Sequence, residues 1–292
     1  LLFLQNKTPL TCSGVLFCRK SKEKSLLPIS AEYTLLGLIW QIIEVLKVKK
    51  IHFLLCSCFI VATAVVGELA QSQLETNRVI YQAQVPRKVI ALTIDDGPHY
   101  KTTPEILEVL RQKQVKVTFF VLGVNAEQSP ALLAQEVRDG HEIGSHAYSH
   151  ASLPALSQKN IEEELNKTEK IILAQAPQPA LFRPPGGMLN RKVIEIAEQK
   201  GYKVVLWSID PHDWQRPSTE KVINFVLKEA KPGSIVLLHD GQYPLPTPQA
   251  IGTIIDALRK DGYEFVTVSE LLQYKNESYP SITSFKDFMN RF

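Results

Sequence analysis

Two histidines four residues apart, His146 and His150, and two consecutive aspartates, Asp95 and Asp96, are the residues whose types and spacing best suit hydrolytic chemistry. An i, i+4 pair on one face of a helical turn can chelate a divalent ion, and a carboxylate can complete the set. Alone the histidine pair is a weak signal, because short patterns recur by chance. The aspartates sit at the end of an apolar run, Val89-Ile90-Ala91-Leu92-Thr93-Ile94. Adjacent carboxylates there repel and are partly desolvated; a cation on one offsets that cost and leaves the other free as a base. Two imidazoles, one carboxylate and coordination positions open to water describe a hydrolytic zinc-type site. His239, Arg183 before Pro184-Pro185-Gly186-Gly187, and Asp210, Asp213 and Trp214 are each ambiguous singly. An edge histidine, a surface ion pair and a loop carboxylate beside an indole are all ordinary. What gives them weight is position, since each follows a candidate strand.

Those strands alternate with helical patterns. Apolar runs at 89–94, 115–121, 142–144, 180–183, 203–209, 234–238 and 264–268 read as strands. Segments 103–113, 130–139, 158–174, 191–199, 218–229 and 249–260 read as helices. Ser129-Pro130 is expected to cap and open one helix and Gly140 to end it, while Ser218 begins another. Repeated alternation predicts an α/β fold with a mostly parallel sheet, and six or seven units suit a distorted (β/α) barrel better than an open sheet. In such a barrel the C-terminal strand ends form one rim, where distant residues converge.

The chain has 292 residues, 45% of them hydrophobic and 22% charged, an ordinary globular balance. Its net charge of +3 is uneven: residues 1–67 carry 8 of the 33 Lys+Arg and 3 of the 30 Asp+Glu, leaving 25 and 27 (net −2) for the rest. The body therefore has no electrostatic case for binding nucleic acid. All four cysteines, Cys12, Cys18, Cys56 and Cys58, also lie near the N-terminus, so the body has no disulfide, thiolate metal site or cysteine nucleophile. Lys47, Lys49 and Lys50 precede an apolar run over 51–66 and a small-residue exit at Gly67, the pattern of an export signal or anchor over 46–67. The expected organisation is an over-extended or weakly ordered segment 1–45, that signal, a linker over 68–84, one catalytic domain over 85–275 and a tail over 276–292. Membrane contact is expected only through the N-terminal segment.

Five segments, Thr93-Ile94-Asp95-Asp96-Gly97, Gly144-Ser145-His146 through His150, Phe182-Arg183-Pro184-Pro185-Gly186-Gly187, Asp210 through Trp214, and Leu237-Leu238-His239, resemble in order the motifs of the polysaccharide deacetylases with a NodB homology domain, carbohydrate esterase family 4. The resemblance spans roughly 85–272 and implies a barrel of about seven strands. It implies that Asp96, His146 and His150 bind a divalent metal, zinc foremost with cobalt or a similar ion able to serve. It further implies that Asp95 is the general base, His239 the general acid, that Arg183 orients Asp95 and that Asp213 keeps His239 protonated. Gly186, Trp214 and Leu237 are the expected substrate contacts. Gly186 stands where the family often has an aromatic residue, which keeps a backbone donor and removes a side-chain wall. The implied reaction is removal of acetyl groups from N-acetylglucosamine units of a cell-wall or chitin-like glycan outside the cytoplasm. The competing readings are an O-acetyl esterase acting on acetylated xylan and a non-catalytic glycan-binding envelope protein. Trp214, Trp207 and Tyr148 are candidate sugar platforms, with Trp207 expected in the core.

Overall fold

The computed structural model describes residues 37–44, 46–47 and 78–274. The chain divides into two units, 1–67 and 68–292. In the first, the described residues are helical, and among the described residues no helix is long and apolar enough to cross a membrane. Apart from residues 46–47 the expected export signal lies outside the described residues, as do segment 1–36 and the tail 276–292.

The second unit is a parallel sheet wrapped by helices. Its strands are β1 (Val79–Ile80), β2 (Val89–Asp95), β3 (Thr118–Val121), β4 (Glu142–Ser145), β5 (Leu181–Phe182), β6 (Lys203–Val205) and β7 (Ile235–His239), in the order β1-β6-β5-β4-β3-β2-β7. A short β8 (Glu264–Phe265) pairs with the N-terminal end of β2. Every strand pairing is parallel. The curled sheet is closed only by isolated bridges, Gln82 to Ser234 and Ile209 to Val236, so the barrel is distorted. Within the expected linker 68–84, Val79 and Ile80 form β1, a strand beside β6.

The helices are α1 (Thr102–Lys113), α2 (Gly123–Gln128), α3 (Pro130–Arg138), α4 (Gln158–Leu173), α5 (Arg191–Gln199), α6 (Thr219–Glu229), α7 (Thr247–Lys260) and α8 (Val268–Tyr274). Ser157, Asn190 and Ser218 cap α4, α5 and α6 by accepting from Asn160, Val193 and Lys221 N–H groups. Ser129 makes no such bond, so α3 opens on Pro130 alone, with Gly140 at φ 82° ending it. Val268, read as the end of a strand, instead begins α8.

Side-chain alternation along the strands decides what reaches the rim. On β2, Ile90, Leu92 and Ile94 pack outward against helices, while Val89 and Ala91 pack inside the barrel with Phe120, Leu181, Val205 and Ile235. Both faces are buried, which is why these strands read as continuous apolar runs. The inward parity of β2 continues through Thr93 to Asp95, that of β5 from Leu181 to Arg183, and that of β7 from Ile235 through Leu237 to His239. On β2, β5 and β7 the polar residues of the inner face thus lie toward the C-terminal ends, while Thr118 and Glu142 pair at the opposite end of β3 and β4.

Candidate active site

Asp95 and His239 are register partners on adjacent strands, so their side chains stand next to each other at the mouth of the barrel. Asp96 follows in a left-handed conformation, φ 76°, which turns it away from the strand direction. Gly241 makes that turn fit: a Cβ there would overlap the Asp96 Cβ and backbone. Asp95, Asp96, His146, His150, Gly186, Trp214, Leu237 and His239 all line one cleft of about 370 Å3. Arg183 and Asp213 are fully buried behind it.

His146 and His150 are not on a helical turn. They lie in an irregular loop after β4, with Ala147 and His150 both at φ 61°. The i, i+4 spacing still brings the rings together, centroids 5.4 Å apart, through a turned loop. His146 Nε2 is 3.4 Å and His150 Nε2 3.5 Å from Asp96 Oδ1. These distances exceed a good hydrogen bond, and Asp96 Oδ1 is buried without a hydrogen-bonding partner. The three groups each offer a donor atom within 4.8 Å of the others. His146 Nδ1 lies 2.7 Å from the Arg183 carbonyl, which can only accept, so Nδ1 carries a proton and Nε2 is the nitrogen turned toward Asp96. Burial alone would raise the Asp96 carboxyl, but the imidazoles of His146, His239 and His150 outweigh it and hold the carboxyl at about 2. An ionised carboxylate with an orphaned oxygen facing two imidazole nitrogens fits a divalent cation, with zinc-like ligand chemistry.

Asp95 is held from below. Arg183 Nη1 donates to Asp95 Oδ1 at 2.6 Å and to Thr93 Oγ1 at 2.8 Å. Its Nε and Nη2 donate to the Val205 and Leu206 carbonyls, and its guanidinium lies 4.1 Å from the Phe120 ring centroid. Asp95 Oδ2 remains toward the cleft, 3.8 Å from His146 Nε2.

His239 is held from behind. Its Nδ1 lies 2.7 Å from Asp213 Oδ1, and its backbone N–H donates to Asp213 Oδ2 at 2.8 Å. The Trp214 N–H and the Thr247 hydroxyl also donate to Asp213. Burial alone would depress the imidazole, but the Asp213 hydrogen bond and charge, with the charges of Asp95 and Asp96, raise it to about 9. With Nδ1 occupied, Nε2 is the ring nitrogen left for substrate.

One sugar-platform expectation changes. Trp207, expected in the core, packs half-buried against two apolar clusters beyond the end of β6 and also lines the cleft. Tyr148 lies outside it: its hydroxyl donates to Glu127 and Lys167 sits 3.5 Å from its ring centroid. Sequence position assigns no role to Thr93 or Thr247 and marks Asp240 only as a polar residue that follows a candidate strand with His239. Asp240 is fully buried, accepts from Thr103 and is raised to about 7, chiefly by burial, with Thr103 and His239 opposing and the charges of Asp96 and Asp95 adding.

The family model for polysaccharide deacetylase matches residues 82–205. A peptidoglycan-N-acetylglucosamine deacetylase of Bacillus cereus is 42% identical over 212 residues, 71% of this chain and 100% of that protein. This chain belongs to the polysaccharide deacetylase family. A second relative of this polysaccharide deacetylase is the peptidoglycan-N-acetylglucosamine deacetylase PgdA of Listeria monocytogenes, 40% identical over 185 residues, 63% of this chain and 39% of that longer protein. The crystal structure of the Bc1960 peptidoglycan N-acetylglucosamine deacetylase superposes with a TM-score of 0.67 and 34% identity, over 69% of this chain and 96% of that one. The deacetylase thus has the NodB-like barrel in one domain, with its candidate metal cluster at the rim of the shared fold.

Proposed function

We propose that this chain hydrolyses the N-acetyl groups of N-acetylglucosamine units in peptidoglycan, releasing acetate outside the cytoplasm. One observation carries the reading: the Asp96–His146–His150 donor set lies beside a clamped carboxylate, Asp95, and a protonatable imidazole, His239. The identity to peptidoglycan deacetylases supports the substrate class. The segment 46–67 serves as the export signal or membrane anchor.

Asp96, His146 and His150 hold a divalent cation, zinc foremost and cobalt as a substitute, which when bound supplies Lewis acidity toward an acetyl carbonyl and a water molecule. Asp95 takes the water proton on Oδ2, because Arg183 occupies Oδ1. The Gly186 N–H stabilises the developing oxyanion. His239 donates its Nε2 proton to the departing amine, which is too basic to leave unprotonated, and Asp213 stabilises the imidazolium. Trp214 offers an exposed indole against the sugar ring, and Leu237 packs against the acetyl methyl.

Measuring free acetate from N-acetylated peptidoglycan strands and from O-acetylated xylan tests the reading. Acetate from the peptidoglycan strands is expected. Acetate from xylan alone would replace the proposal with an O-acetyl esterase, and acetate from neither would leave a glycan-binding protein on the same fold.

A further inference from the structure

We infer that Glu164, on the outer helix α4, is a positioning residue that sets the affinity of the metal site by fixing His150. The inference rests on the metal-site reading above.

The two histidine ligands are held differently. His146 directly continues β4, is 2% exposed, and has its Nδ1 fixed by the Arg183 carbonyl. The His150 side chain is 45% exposed, and its ring meets only the edge of the His146 ring and the Asp96 carboxylate among the described residues, with no hydrogen bond to fix it. The place of that ring therefore depends on the backbone of residues 147–150. This backbone is not relaxed on its own: Ala147 and His150 both take the left-handed conformation, φ 61°. For residues bearing a Cβ that conformation is disfavoured and persists only where the surroundings impose it.

The surroundings are a two-sided clamp. On one side, the N–H groups of Gly123 and Val124, at the start of α2, donate to the Ala147 and Tyr148 carbonyls at 2.9 and 3.0 Å. On the other, Glu164 Oε2 accepts from the Tyr148 and Ser149 N–H groups at 2.9 and 2.8 Å, and Oε1 accepts from the Ser149 hydroxyl at 2.7 Å. One carboxylate thus takes the loop donors directly before His150. Bonds to an ionised acceptor are stronger than neutral ones. The adjacent Glu162 and Glu163 do not take part; they pair with Gln158 and Lys159 on the same helix. A glutamine at 164 keeps the shape but not the charge: its amide oxygen can accept from both N–H groups and its amide nitrogen can donate to the Ser149 hydroxyl, so the loop is then held by weaker, neutral bonds alone.

The test is metal binding by the full-length chain, stripped with chelator and titrated with Zn2+ against a chromophoric competitor, with the visible spectrum of the Co2+ form as a second readout. The proteins are wild type, Glu164→Gln, Ser149→Ala, His150→Ala and Glu163→Gln. Glu164→Gln is expected to weaken Zn2+ binding by about tenfold or more, the scale of outer residues that orient ligands, and to alter the Co2+ spectrum. At saturating Zn2+ its acetate release is expected to return close to wild type, which a merely unstable fold would not do. Ser149→Ala, which removes one bond only, is expected to show a smaller loss in the same direction and keeps the inference testable if Glu164→Gln does not fold. Glu163→Gln should bind as wild type. Wild-type affinity and spectrum in both Glu164→Gln and Ser149→Ala, with His150→Ala impaired, would overturn the role of Glu164 alone. Equal affinity of wild type and His150→Ala would overturn the metal-site reading and this inference with it.

Discussion

Among the described residues Arg183 has one anion within reach, Asp95, and its other acceptors are a hydroxyl and two carbonyls. Both residues are buried, so removing the negative charge leaves a guanidinium uncompensated, a change that costs about 3–5 kcal/mol in buried pairs. Asp95→Asn is therefore expected to act twice. Acetate release falls by roughly 10²–10⁴-fold, the span of general acid–base catalysis, and the melting temperature drops. Divalent ion binding stays near wild type, because Asp96, His146 and His150 are intact. Isothermal titration with Zn2+ beside a thermal melt separates these effects; wild-type turnover in the folded variant would refute the base assignment. The acid has its own signature. Asp213 keeps the His239 imidazole protonated, with a value of about 9. Activity needs that proton, so it is present below the His239 pKa and lost as pH rises through it. The charge of a bound cation works against Asp96 and brings the alkaline limb of kcat/KM below 9. In Asp213→Asn the charge and the strongest acceptor are gone, burial prevails, and the alkaline limb is expected to move to lower pH by a unit or more, each unit being about 1.4 kcal/mol of lost interaction. An unmoved limb would remove His239 or Asp213 from the proton path.

The strand ends and the turns beyond them decide whether these side chains meet. Asp96 leaves β2 at φ 76° and fits only because residue 241, beyond β7, has no Cβ. Gly241→Ala is accordingly expected to displace Asp96 and weaken Zn2+ binding by about tenfold or more, comparable to losses from disturbed ligand orientation, while the circular dichroism of the barrel stays unchanged. Competition titration reads the first and far-ultraviolet spectra the second; unchanged affinity would show that the turn yields without moving the ligand. Long apolar elements were legible in the sequence, β2 and β7 above all, because both of their faces are buried. Two short ones were not: β1 has two residues, and α2 has six with no apolar stripe, whereas β5, equally short, lies inside the apolar run 180–183. The apolar run 203–209 overextended β6, since Leu206 to Ile209 leave the ladder and meet β7 only at a single bridge. The loop from His146 to His150 defeated the helical reading because spacing counts residues, whereas the turn depends on bonds from α2 and α4 brought in by the fold.

Across the whole molecule, convergence is a property of the sheet. Five segments spread over residues 93–239 reach one cleft because every main strand is parallel and ends at the same rim. The residues with the strongest motif character could be picked out from sequence order alone. Thr93, Thr247 and Glu164 could not, since their partners lie 90, 34 and 15 residues away. The central claim is that one divalent cation at Asp96, His146 and His150 enables deacetylation. Its most direct measurement is acetate release from N-acetylated peptidoglycan by protein stripped with chelator and then titrated with Zn2+. The account predicts negligible release from the stripped protein and full recovery at one Zn2+ per chain. Equal release with and without the ion, at a metal content below one-tenth per chain, would contradict it.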